Sequence, residues 1–161
     1  MMTKLTYIKT AVWFLAISLW IAACSPAPAG GESPAEGSPM PADVVTPYLK
    51  VADALANDSI DGVKANAGDL ATAASRLGAP AMKIDTAAVQ LASATEIADA
   101  RTKFGALSEA VVTYVDGLKL KLPDDVKVAI CPMNQKPWLQ EGSDIRNPYF
   151  GSSMLTCGNF R

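Results

Sequence analysis

Two cysteines, each with a methionine a short step away, are the residues of this chain best equipped for chemistry: Cys131-Pro132-Met133 and Met154-Leu155-Thr156-Cys157. Two thiols and two thioethers make a soft donor set. Such sulfur ligands select Cu(I), and by the same softness Ag(I), over hard cations such as Mg or Ca. On an extended backbone a Cys-x-Met pair projects both sulfurs to one side, and a Met-x-x-Cys pair does likewise in a turn. Zinc fits less well, because it ordinarily takes a third or fourth Cys or His and the chain contains no histidine. Without imidazole the usual general base near neutral pH is also missing, which disfavours most hydrolase chemistry. The expectation is a binding protein and not an enzyme.

The same two thiols support a second reading. In an oxidising compartment, cysteines at the ends of one loop-rich segment form a structural disulfide. Closing such a loop of about 25 residues stabilises a fold by roughly 3 kcal/mol in the chain-entropy account. The methionines would then fill core space. Spacing alone leaves ligation and a Cys131–Cys157 disulfide both open. A catalytic redox pair is disfavoured, because the two do not form the Cys-x-x-Cys arrangement that lowers a thiol pKa.

Other polar residues carry weaker signals. Asp124-Asp125 and Glu141 with Asp144 are carboxylate pairs in polar stretches, where such groups are normally solvated. Arg146, before Asn147-Pro148, is placed to anchor its loop through carbonyls or a carboxylate. No phosphate-cradling glycine loop or nucleophile elbow is present. A formal charge of −2 offers nothing for gripping a phosphate backbone, so nucleic acid is not an expected partner.

The elements that must position these residues are legible in the rest of the chain. Residues 1–23 have basic Lys4 and Lys9, an apolar run from Ala11 to Ala23, and the ending Ile21-Ala22-Ala23-Cys24. This is the layout of a secretory signal, too short for a permanent span of about 20 residues. An aliphatic residue, two small ones and a cysteine resemble the lipobox of bacterial lipoproteins, which implies cleavage before Cys24 and diacylglycerol on its thiol. The expected address is the cell envelope, facing the periplasm, with Ser25 pointing to the outer membrane. Residues 24–41 are rich in Pro, Gly, Ser and Ala, the composition of a disordered tether.

Residues 42–161 then read as one domain. Apolar residues at Ile60, Val63, Ala67, Leu70, Ala74 and Leu77 step by three and four, the mark of one helical face. Ser59 is placed to cap that helix and Gly78-Ala79-Pro80 to stop it. The stepping returns at Ile97, Ala100, Phe104, Leu107, Val111, Tyr114 and Leu118, with Ser93 and Glu96 spaced as a capping box. Pro47–Ala56 and Ala81–Ala92 supply two further helices, with Pro47 marking either the start of the first or a kink in it. Four amphipathic segments with short connections predict a mainly α protein, an antiparallel four-helix bundle. Val126–Ile130 reads as a short strand, and the remainder as a loop-rich cap. That cap holds Trp138, Tyr149, Phe150 and Phe160, which predicts that it folds down on the bundle.

Val128-Ala129-Ile130-Cys131-Pro132-Met133, Trp138-Leu139, Ile145 through Gly151 and Met154-Leu155-Thr156-Cys157-Gly158 together resemble an uncharacterised bacterial envelope domain, domain of unknown function thirty-three forty-seven. Tyr48-Leu49-Lys50-Val51-Ala52-Asp53-Ala54-Leu55 resembles the start of its first helix, and the likeness runs from about Val44 to Gly158. That domain occurs in lipoproteins and appended to periplasmic adaptor subunits of copper and silver efflux pumps. The resemblance implies a helical bundle with a small cap, a role with heavy metals, efflux components as partners, and Cys131, Met133, Met154 and Cys157 as the site. It leaves the oligomeric state open.

Overall fold

The computed structural model describes residues 33–161. The expected signal peptide, the lipidation residue Cys24 and the tether up to residue 32 lie outside the described residues.

Four helices come first: α1 (Ala42–Ala56), α2 (Val63–Arg76), α3 (Met82–Ala92) and α4 (Ile97–Gly117). Three short strands follow: β1 (Val126–Ile130), β2 (Pro137–Glu141) and β3 (Asn159–Phe160). About half of the described residues are helical, and they carry a small three-stranded antiparallel sheet in which β1 lies between β2 and β3. In space α1 packs on α2, α2 on α3, α3 on α4 and α1 on α4, while β2 lies against both α4 and α1.

The stepping apolar residues become the core. Val63, Ala67, Leu70 and Ala74 of α2 and Ala100, Phe104, Leu107 and Val111 of α4 are all buried, with Val44, Tyr48, Val51 and Leu55 of α1 and Ile84, Ala88 and Leu91 of α3. Alanine at so many contact positions lets backbones approach closely, so fewer large side chains fill the space between helices.

Three boundaries differ from the sequence expectation. α1 begins at Ala42 and contains Pro47 within it. Pro41, with φ −57°, precedes the first turn, and its carbonyl accepts from the N–H groups of Val44 and Val45 at 3.0 and 3.1 Å. α2 begins at Val63 after Gly62, whose φ of +75° a non-glycine residue would hold only under strain; Ser59 instead accepts from the Asp61 N–H. The Ser93–Glu96 capping box does not form: Ser93 follows α3 and donates to the Gln90 carbonyl, and Glu96 precedes α4 without a side-chain cap.

The segment expected to be tether up to residue 41 does not run free to its end. Gly37 donates to the Leu118 carbonyl and Met40 to the Lys121 carbonyl, each at 2.9 Å, while Lys121 donates back to Ser38. Met40 is buried among the core residues. One apolar side chain with three backbone bonds suffices to hold a Pro/Gly-rich stretch down, so the folded body starts near Gly37.

The sheet, of which the sequence pattern showed only β1, is fastened to the helices by tyrosines. Two groups on the outer edge of β2 find partners there: the Leu139 N–H donates to the Tyr48 hydroxyl at 3.1 Å, and the Tyr149 hydroxyl donates to the Pro137 carbonyl. Capping an edge strand in this way removes unpaired groups that would otherwise recruit another chain. The Tyr48 hydroxyl also bonds Ser108 Oγ of α4, and burial pushes both phenols well above the ordinary tyrosine range. Rings of Tyr48, Phe104, Tyr149 and Trp138 follow one another at centroid distances of 5.4, 5.7 and 5.9 Å. Each contact falls within the range where aromatic pairs add stability beyond area burial, and the chain of rings joins the helical core to the cap.

Candidate thiol and thioether site

Cys131 is the first residue after β1 and opens the hairpin loop to β2. Its N–H donates to the Lys136 carbonyl at 3.0 Å and its carbonyl accepts from the Gln135 N–H at 2.8 Å. Those two bonds fold Pro132-Met133-Asn134 into a turn, with Gln135 at φ +58°. Cys131 is wholly buried, whereas Met133 at the loop tip is 63% exposed. The extended Cys-x-Met backbone expected from the sequence is thus a turn: the thiol faces the core, and the thioether stands in solvent two residues on.

The loop is held against α4 by Lys136. Its ammonium pairs with Glu109 at 2.8 Å, and its stem crosses Gly105, where a Cβ would lie 2.8 Å from Lys136 Cδ. Glycine at this point of α4 is what lets the hairpin come so close.

Cys157 arrives from the other side. Met154 and Cys157 end a turn closed by the Cys157 N–H to Met154 carbonyl bond at 3.0 Å, and both residues are half-buried. β3 starts two residues later and pairs Ile130 with Asn159 and Ala129 with Phe160. Continuing that register sets Gly158 opposite Cys131 and Cys157 one step beyond. The two thiols are neighbours. Burial, then the charge of Cys131, then a hydrogen bond with Cys131 raise the Cys157 thiol above its ordinary pKa. Both cysteines are free thiols here.

Residues that the sequence reading passed over fix this geometry. Asn147 is buried; its Nδ2 donates to the Cys157 carbonyl at 2.6 Å, its N–H to the Leu155 carbonyl at 2.7 Å, and its Oδ1 accepts from the Tyr149 N–H. The last of these is an Asx-turn, for which an Asn-Pro dipeptide in a loop was the available signal. Gln140 is a second buried hub, taking the Trp138 indole N–H and the Arg146 N–H on Oε1 at 3.0 Å each and donating to the Asp144 carbonyl. Gly158 is needed because a Cβ there would sit 2.5 Å from Trp138.

A charged clasp closes the cap on the helices. Arg101 donates to Asp58 at 2.6 Å, to the Leu55 carbonyl at 2.8 Å and to the Pro148 carbonyl at 3.2 Å. Asp58 also accepts from the Ser152 N–H at 3.0 Å. The Ser152 side chain, then Arg101, then the Ser152 N–H hold the Asp58 carboxyl down at about 2. Gly151, at φ +55°, lies where any Cβ would collide with Asp58 and Arg101. Arg146 adds a bond to Asn57 at 2.6 Å and an ion pair with Asp53 at 3.3 Å, which is the carboxylate anchoring its position implied. The carboxylates of Asp124, Asp125, Glu141 and Asp144 are exposed.

The structure therefore brings Cys131 and Cys157 together, sets Met154 at the far end of the turn that carries Cys157, and leaves Met133 outside on the hairpin tip. Among the described residues no group of three or more Cys, His, Asp or Glu side chains is placed to hold a metal ion. None of the described helices is long and apolar enough to cross a membrane.

No curated protein and no solved structure matches the chain. The model of one family does, over the helical body from α1 to the residues just past α4, and Cys131, Met133, Met154 and Cys157 lie beyond the matched stretch. Residues 44–121 match the model of the family described as protein of unknown function (DUF3347).

Proposed function

We propose that this chain is an envelope lipoprotein whose cap binds one soft metal ion, Cu(I) or the chemically similar Ag(I), for periplasmic metal tolerance or delivery. The observation that carries the reading is the adjacency of two free thiols, one fully buried and one half-buried, at the junction of β1 and the segment before β3. Two thiolates suit a d¹⁰ monovalent ion, and the burial of Cys131 keeps away the water that favours hard cations. In this reading Cys131 and Cys157 supply the charged ligands and Met154 a neutral one. Met133 swings in from the hairpin tip, or passes the ion to and from a partner there. Trp138 and Tyr149 shield the ion. The module sequesters or hands over metal and is not an enzyme.

The helices serve as the frame: connections at residues 57–62, 77–81 and 93–96 are short, which supports an antiparallel bundle. Attachment through diacylglycerol on Cys24 places the domain at a membrane surface, with heavy-metal efflux components as partners. Fractionation tests that part: the Cys24→Ser protein should leave the membrane fraction, and its retention there would count against lipidation.

The adjacency of the thiols also favours a second reading, an interaction lipoprotein whose cap is stapled by a Cys131–Cys157 disulfide. Anaerobic titration of the reduced protein with Cu(I) against a competing chelator separates the two. One tightly held Cu(I) per chain, lost in Cys131→Ser and weakened in Met154→Leu, supports the metal site; no competition with the chelator supports the staple.

A further inference from the structure

We propose that Cys131 and Cys157 form a reversible thiol–disulfide switch on the metal site, with Cys157 as the thiol that meets an oxidant and Cys131 as the one that resolves it. For the ion it controls, the switch rests on the metal reading above; its chemistry rests on the placement of the two residues alone.

Both backbones are fixed before any bond forms. β1 and β3 are laddered through Ile130 and Asn159, the Cys131 N–H and carbonyl are tied to Lys136 and Gln135, and the Cys157 N–H and carbonyl are tied to Met154 and Asn147. Directly opposed residues of an antiparallel pair have Cα atoms about 4.5–5.5 Å apart, and disulfides span Cα separations of about 4.4–6.8 Å. Cys157 lies one step past the residue opposite Cys131, in the turn that leads into β3, and its thiol is within hydrogen-bonding reach of Cys131.

Burial sets the order of events. Cys131 is fully enclosed and Cys157 only partly, so an oxidant from solvent reaches Cys157. The Cys157 thiolate attacks one sulfur of a low-molecular-weight disulfide, here oxidised glutathione; its S–S bond breaks and one glutathione thiolate leaves. The Cys131 thiolate then attacks the Cys157 sulfur of the mixed disulfide and expels the second glutathione thiolate. Two electrons pass from the protein dithiol to the glutathione disulfide, and the two thiol protons end on two glutathione thiols. Both ligand charges vanish, so a bound Cu(I) ion loses its two anionic donors and is released to any competing thiol or chelator.

The test uses the purified chain under anaerobic conditions, treated with oxidised glutathione and followed by intact mass and thiol titration, metal-free and preloaded with Cu(I). The wild type should lose both titratable thiols and two protons of mass without retaining an adduct. Cys131→Ser should accumulate a glutathione adduct on Cys157, and Cys157→Ser should stay unmodified. Preloaded protein should yield Cu(I) to the chelator in step with thiol loss. Retention of both thiols, a stable adduct on the wild type, or faster modification of Cys157→Ser than of Cys131→Ser would overturn the switch and leave the metal reading standing. A disulfide that closes as described in a protein whose reduced form takes up no Cu(I) would overturn the metal reading, and with it the ion release proposed here.

Discussion

Replacing Tyr48 by Phe removes one oxygen and strands two groups. The Leu139 N–H, on the outer edge of β2, loses its acceptor, and Ser108 Oγ loses its partner. Both Tyr48 and Ser108 are wholly buried, so water does not replace the lost contacts. A buried donor or acceptor left unsatisfied costs about 1–3 kcal/mol; the Ser108 hydroxyl can rotate to a carbonyl of its own helix, whereas the Leu139 N–H is held by its strand. The expected loss is about 2–3 kcal/mol, a large fraction of the roughly 5–15 kcal/mol that stabilises a domain. At about 3–5 °C per kcal/mol for a domain of this size, the midpoint falls by about 6–15 °C. Urea unfolding followed by Trp138 fluorescence measures it cleanly in a chain lacking residues 1–23, since the other tryptophans, Trp13 and Trp20, lie there. Amide exchange should show the Leu139 N–H losing most of its protection. Adding Ser108→Ala removes the second stranded group, so Tyr48→Phe/Ser108→Ala should cost about 1 kcal/mol less than the sum of the single changes. A loss below about 0.5 kcal/mol for Tyr48→Phe, or strict additivity in the double variant, would refute the tyrosine clamp.

Further outcomes follow from the clasp, the cap and the thiols. Asp58, held at about 2 against an ordinary 3.8, contributes stability that is complete above about pH 4 and is lost as pH falls through about 2; urea midpoints should fall more steeply over that window in the wild type than in Asp58→Asn, and parallel curves would remove the clasp's electrostatic part. Gly158→Ala forces a methyl to within 2.5 Å of Trp138 and 3.1 Å of Ile145, which overpacks the cap by about 1–3 kcal/mol; a shifted Trp138 emission and lowered stability are expected, and unchanged values would contradict the close packing. In the proposed site the ligands are thiolates, and metal binding to two thiols releases protons, so apparent Cu(I) affinity should climb with pH, by up to about a hundredfold per pH unit; affinity flat between pH 6 and 8 would exclude thiolate ligation.

The helical body was legible because its stepping apolar residues record burial directly: every stepping residue from Val63 to Ala74 and from Ala100 to Val111 lies in the core. Boundaries were less so, since tertiary bonds decide them. Pro41 precedes α1 and Pro47 lies inside it, and backbone contacts between Gly37–Met40 and Leu118–Lys121 hold down a stretch whose composition alone reads as tether. In the cap, β1 alternates enough to be seen, whereas β2 opens with proline and β3 has two residues, so neither has a pattern to read. The nearness of Cys131 and Cys157 could be suspected from residue type, whereas the turn at Met133 could not, because the bonds of Cys131 to Lys136 and Gln135 curl a backbone whose sequence reads as extended. Asn147, Gln140, Arg101 and Asp58 act through backbone groups distant in sequence, which no local pattern reveals.

The central claim is that the two thiols converge on one soft ion. X-ray absorption at the copper edge, on protein loaded anaerobically with one equivalent of Cu(I), tests it most directly. The account predicts a first shell of sulfur alone, containing both thiolates and at least one thioether, with the spectrum losing a sulfur in Cys157→Ser and in Met154→Leu. Nitrogen or oxygen neighbours, or a spectrum unchanged by those substitutions, would contradict it.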